Sequence, residues 1–194
     1  MAVEYKTTDV LTAARDRISL VFDRFANVTV SVSSGKDSTV LYHLALAEAE
    51  RRGRRIKVFF LDQEAEWQSS IDLIAEMMRH PLVDSEWYQV PILMTNATSH
   101  REYFLDAWHD GKDWLRAKHP LAIHSLDKTY PPRFYDFFAW HEKQASEPTV
   151  FLVGLRSKES MNRFRAVTKS AGYQGISVEH KNEMPVHLPV LSAL

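Results

Sequence analysis

The stretch Ser31-Val32-Ser33-Ser34-Gly35-Lys36-Asp37-Ser38-Thr39 gathers the residue types that bind an anion. It follows the apolar run Val28-Thr29-Val30 and precedes Val40-Leu41-Tyr42-His43-Leu44. Strand, small-residue turn and helix in that order leave the first helical amides pointing outward, where the helix dipole favours negative charge. Lys36 adds a point charge suited to phosphate. Ser33, Ser34, Ser38 and Thr39 add short hydroxyl donors. The plainer alternative is a Ser/Gly turn that only caps a helix. The order of strand, loop, lysine and helix favours a phosphate site.

A second group follows the apolar segment 149–153: Gly154-Leu155-Arg156-Ser157-Lys158-Glu159-Ser160-Met161-Asn162-Arg163. Two arginines seven apart, just after a strand, stand where open α/β sheets bind ligands. Arginine is the fork-shaped donor for phosphate or sulfate oxygens. Ser160 is a candidate helix cap or anion donor, and Glu159 is placed to orient an arginine. Read alone, this segment is a solvated basic helix with internal ion pairs.

The loop is not a Walker A motif, because Val30 stands where its first glycine belongs and Asp37 follows Gly35-Lys36. Ser-Gly-Lys-Asp-Ser instead resembles the pyrophosphate loop of the adenine nucleotide alpha-hydrolase group. That group includes the N-type ATP pyrophosphatases and the phosphoadenosine phosphosulfate (PAPS) reductases. Arg-x-x-Glu-Ser-x-x-Arg after Gly-Leu resembles the second signature of the PAPS reductase family. The pairing, about 120 residues apart, is more specific than either motif alone. The wording and the tryptophan-rich middle of the chain most resemble the stand-alone phage and prophage PAPS reductase-like proteins.

This resemblance implies an adenine-nucleotide ligand, PAPS or ATP. Ser33, Ser34, Gly35, Lys36, Asp37, Ser38 and Thr39 would hold its phosphate or sulfate end. Gly154, Arg156, Glu159, Ser160 and Arg163 would close over the same anion, with Lys36, Arg156 and Arg163 carrying any catalysis. Asp62-Gln63-Glu64 would lie near the ribose and adenine, although reductases resemble Asp-Thr-Gly there. Magnesium would assist if ATP is the substrate. The sulfate-reducing members use a C-terminal cysteine, and these residues include none. The sequence thus leaves two readings. One is an enzyme acting on PAPS or on the α-phosphate of ATP. The other is a nucleotide-binding regulatory or phage accessory module working with a partner protein or a second copy.

Other residues carry weaker signals. Asp62, Glu64 and Glu66 form an acidic group suited to magnesium or, more plainly, to a helix N-terminus. Trp108 and Trp114 could stack on adenine, but such residues are more often core or lid anchors. His124, Lys128 and Arg133 are further candidate ligand contacts. Arg51, Arg52, Arg54 and Arg55 complement a helix end better than they suit nucleic acid.

These groups need elements to hold them. Helical spacing of Leu11, Ala14, Ile18, Val21, Phe22 and Phe25 predicts a helix over 9–25 capped by Asp9. Strands are expected at 28–32, 56–61, 87–90 and 149–153, and helices at 37–52, 67–79 and 134–144. This alternation predicts an α/β fold, a doubly wound and mostly parallel sheet with helices on both faces. The segment at about 91–132, broken by Gly111, Pro120, Pro131 and Pro132, reads as an insertion with short helices over the sheet's carboxyl edge. Leu188-Pro189-Val190-Leu191 resembles the start of a Pro-Ile/Leu-x-x-Trp segment of the family.

At 194 residues, 45% hydrophobic and 25% charged, the composition fits one globular domain spanning 1–194. A net charge of −1 gives no global field for nucleic acid or membrane. No apolar run approaches the roughly 18 residues of a membrane span, and residues 1–9 lack a signal-peptide core. A cytoplasmic location is expected. Without cysteine there are no disulfides, no iron–sulfur cluster and no Cys-ligated zinc in these residues.

Overall fold

The computed structural model describes residues 8–145 and 147–154, and the backbone of 186–189. Four strands anticipated from sequence become a parallel sheet. They are β1 (Asn27–Ser31), β2 (Ile56–Leu61), β3 (Val83–Tyr88) and, after a two-stranded ribbon, β6 (Thr149–Val153). A fifth parallel strand, β7 (Val186–Pro189), pairs with β6, so the order is β3-β2-β1-β6-β7. The chain winds outward from β1 to β3, then returns to lay β6 on the other side of β1. The expected doubly wound α/β sheet is present.

Strand alternation splits the core into two layers. Val28, Val30, Val58, Phe60 and Leu152 face one way, under α1 (Val10–Arg24), α2 (Lys36–Arg52) and α3 (Gln68–Met78). Phe59, Leu61 and Tyr88 face the other way, under α4 (Phe134–Glu142) and the insertion. Asp9 caps α1, its carboxylate accepting from the Thr12 amide at 2.9 Å. Gly53 ends α2 at φ 62, a left-handed turn that costs glycine little, with the Arg54 amide returning to the Ala49 carbonyl.

Two sequence expectations need correction. The third strand runs over 83–88 rather than 87–90. Asp84, Ser85 and Glu86 hid it, because an edge strand leaves polar side chains free to face outward. Arg55, just before β2, and Lys57 on β2 pair with Asp84 and Glu86 respectively. The insertion holds no helix among its described residues 91–132; it forms an antiparallel ribbon, β4 (Ile92–Thr95) and β5 (Phe104–Ala107). Prolines 91, 120, 131 and 132 bar helix continuation. Ile92, Ala107 and Trp108 bury against Phe59 and Leu61, so the ribbon extends the second core.

Candidate nucleotide site

The sheet order changes direction between β1 and β6, and both sequence motifs leave the sheet there. Ser33 to Thr39 follow β1, and Gly154 follows β6, its partner strand. The crevice at such a switch point is where doubly wound sheets take ligands. The two loops touch. A Cβ built on Gly154 would lie 3.0 Å from the Asp37 carbonyl carbon and the Ser38 nitrogen, so a larger residue there would have to push the backbone of α2 aside by a few tenths of an ångström.

The loop is organised from within. Ser38, 6% exposed, accepts from the Ser33 amide at 3.1 Å and donates to the Gly35 carbonyl at 3.0 Å. Thr39 Oγ1 donates to the same carbonyl at 3.0 Å. The hydroxyls of Ser38 and Thr39 therefore hold the turn's shape. Ser34 takes φ 56, a strained value for a residue with a Cβ. Gly35 is the N-cap of α2 and makes no side-chain cap bond. A helix start without a side-chain cap is a place that favours an anion. Ser33 and Lys36 are exposed beside them.

The next loop along, after β2, has a different task. Asp62 is fully buried and its carboxylate accepts five hydrogen bonds: from the Glu64 amide, Trp87 Nε1, Gln89 Nε2 and, twice, Arg116. Glu64 accepts from the amides of Trp108 at 2.6 Å and Leu115 at 2.8 Å. Arg116 donates to the Glu64 carbonyl and lies 4.8 Å from the Trp108 ring centroid. Glu64 (φ 68) and Trp108 (φ 58) are both left-handed, and these bonds hold them so. Asp62 and Glu64 therefore fasten the insertion to the sheet's carboxyl edge. Gln63 is exposed between them. Burial pushes the Glu66 carboxyl up, with the Asp62 charge adding to it.

Magnesium does not fit Asp62, whose lone pairs are engaged by Arg116 and its neighbours. Among the described residues no group of three His, Asp or Glu is arranged around a metal position. Trp108 belongs to the core, and Trp114 packs edge-on against it with Lys118 over its face. His124 bonds the His119 carbonyl, Lys128 bonds Gln144, and Arg133 lies over Phe104. Sequence reasoning missed Arg116. Its signal was invisible without the fold, since 54 residues separate it from Asp62. Arg156, Glu159, Ser160 and Arg163 lie outside the described residues. No helix among the described residues is long and apolar enough to cross a membrane.

The chain is 28% identical over 170 residues to the uncharacterized protein YbdN of Escherichia coli (strain K12), covering 82% of this chain. The chain spans 41% of the length of that relative. The family model for the phosphoadenosine phosphosulfate reductase domain matches residues 27–171, from the first strand of the sheet through both motif loops. The chain belongs to the PAPS reductase domain family.

Proposed function

We propose that the loop after β1 binds the phosphate or phosphosulfate end of an adenine nucleotide, PAPS or ATP. The observation that carries this reading is the uncapped start of α2 at the switch point, with Lys36 exposed beside it and Gly154 packed against it. The α2 amides and Lys36 would neutralise charge on the phosphate oxygens, and Arg156 and Arg163 would add forks to the same anion. Catalysis, where it occurs, would be positioning plus charge stabilisation. These residues supply no thiol, so the nucleophile or reductant would come from a substrate or a partner protein. With ATP, magnesium would ride on the phosphates rather than on Asp62.

Calorimetric titration with ATP, PAPS and adenosine 3′,5′-bisphosphate tests this. At least one should bind the wild type, and Lys36→Ala should weaken it. The reading fails if none binds, or if Lys36→Ala binds as tightly as wild type. The missing thiol also recommends a second reading, a nucleotide-binding module that regulates a partner. Steady release of AMP or pyrophosphate from ATP would rule that out.

A further inference from the structure

β3 ends the sheet, yet its outer edge is not bare, because residues 119–123 lie along it as a strap. The Ile123 amide donates to the Trp87 carbonyl at 2.7 Å, and the Gln89 amide donates to the Ile123 carbonyl at 2.9 Å. Ile123 thereby forms a parallel bridge with Tyr88. Covering an edge in this way removes a template for unwanted pairing.

His119 fastens the start of the strap. Its amide donates to Gln89 Oε1 at 2.6 Å, and Gln89 Nε2 reaches on to Asp62 Oδ2 at 2.8 Å. Its ring stacks on Trp87, centroids 4.4 Å apart and planes 19° apart, and so shields a fully buried indole. His119 Nδ1 accepts from the Leu121 amide at 3.1 Å. A backbone amide only donates, so Nδ1 carries no proton and the ring is neutral. An added proton must land on Nδ1, where it faces the Leu121 N–H and breaks that bond.

The surroundings oppose the proton as well. Burial first, then Arg79 at the end of α3 and Arg116 of the insertion, hold the His119 pKa below its ordinary 6.5, and Asp62 and Asp72 pull it up by less. The Trp87 face favours a cation, but the ring would lose water and the Leu121 bond at once. His124, just beyond the strap, donates Nε2 to the His119 carbonyl at 2.9 Å, a bond that protonation of His124 leaves in place.

We propose that His119 is an acid-sensitive catch: its neutral ring holds residues 119–123 on the outer edge of β3, and a proton on Nδ1 releases them. The closed strap has the lower histidine pKa, so its stability is complete above the ordinary value and drains away as pH falls through 6.5. The catch does not rest on the reading of the loop after β1.

Hydrogen exchange followed by nuclear magnetic resonance tests this, read as protection factors so that the intrinsic pH dependence is divided out. Between about pH 7.5 and about pH 5, protection of the Ile123 and Gln89 amides should fall about threefold to tenfold relative to Val30 and Val58 in the sheet centre, as the loss of one hydrogen bond requires. Asparagine accepts from the amide two residues on without titrating, so His119→Asn should keep the strap and lose its pH dependence. Ile123→Pro deletes the amide that anchors the strap, and the His119 ring should then titrate closer to 6.5, as linkage demands. The catch is overturned if relative protection does not change with pH, or if His119→Asn shows the same fall as wild type. It is equally overturned if Ile123→Pro leaves the His119 titration where it was, and that measurement alone decides should His119→Asn open the strap at every pH.

Discussion

Asp62 and Arg116 form a buried ion pair, their side chains 0% and 14% exposed, at the edge where the loop after β1 also stands. Breaking one half of such a pair strands a charge. Arg116→Met should therefore cost about 3–5 kcal/mol, read as a lowered denaturation midpoint. It should also loosen the insertion, which trypsin cleavage within 91–132 would report. Equal stability in Arg116→Met would show that Asp62's other donors suffice. Lys36 makes the opposite case. It is exposed, so Lys36→Ala should leave Tm almost unchanged yet weaken nucleotide binding about tenfold to a hundredfold, the worth of one charged hydrogen bond. Ser38→Ala should do both kinds of damage, since its buried hydroxyl shapes the loop. A loss of about 1–2 kcal/mol and weaker nucleotide binding are expected from denaturation and calorimetry on the same variant.

At the scale of elements, α2 carries the loop at one end and is clamped at the other. Arg51 and Arg52 both bond Glu48, and Arg52 reaches on to Asp23 and Ser19 of α1. These bonds, Arg51 first, outweigh burial and bring the Glu48 pKa from 4.5 to about 2. Because the folded value is depressed, the clamp's stability is complete above the unfolded pKa. It drains away as pH falls from about 5 to about 2. On the order of 2 kcal/mol is at stake. Urea denaturation across that range should show the loss in wild type and a flatter profile in Glu48→Gln. The four arginines at this helix end were read from sequence as serving the helix end rather than nucleic acid. In the fold they also fasten α1 and β3, since Arg54 bonds the carbonyls of Phe22, Phe25 and Ala26 and Arg55 pairs with Asp84. The strands with continuous apolar runs, β2 and β6, were legible because both their faces are buried. Edge strand β3 and ribbon β4–β5 were not, because half their side chains answer to solvent or to residues distant in sequence.

Over the whole molecule, the insertion and the sheet share one core layer, with Trp108, Ile92 and Phe137 packed with Phe59 and Leu61. Heating should therefore unfold sheet and insertion together, with tryptophan fluorescence and far-ultraviolet circular dichroism tracing coincident transitions. A separate early fluorescence transition would show the insertion to be an independent unit. The sequence by itself determined the α/β alternation, the loop with its lysine and the arginine motif. Those signals are local: periodicity, turn chemistry and residues within one helical turn or one loop. Only the tertiary structure decided what Asp62 and Glu64 do, because their partners Trp87, Gln89, Trp108 and Arg116 lie 25 to 54 residues away. Only the fold, likewise, set β6 beside β1 and brought Gly154 within van der Waals reach of the first turn of α2. Chain reversal across a parallel sheet joins residues that no spacing along the sequence can mark.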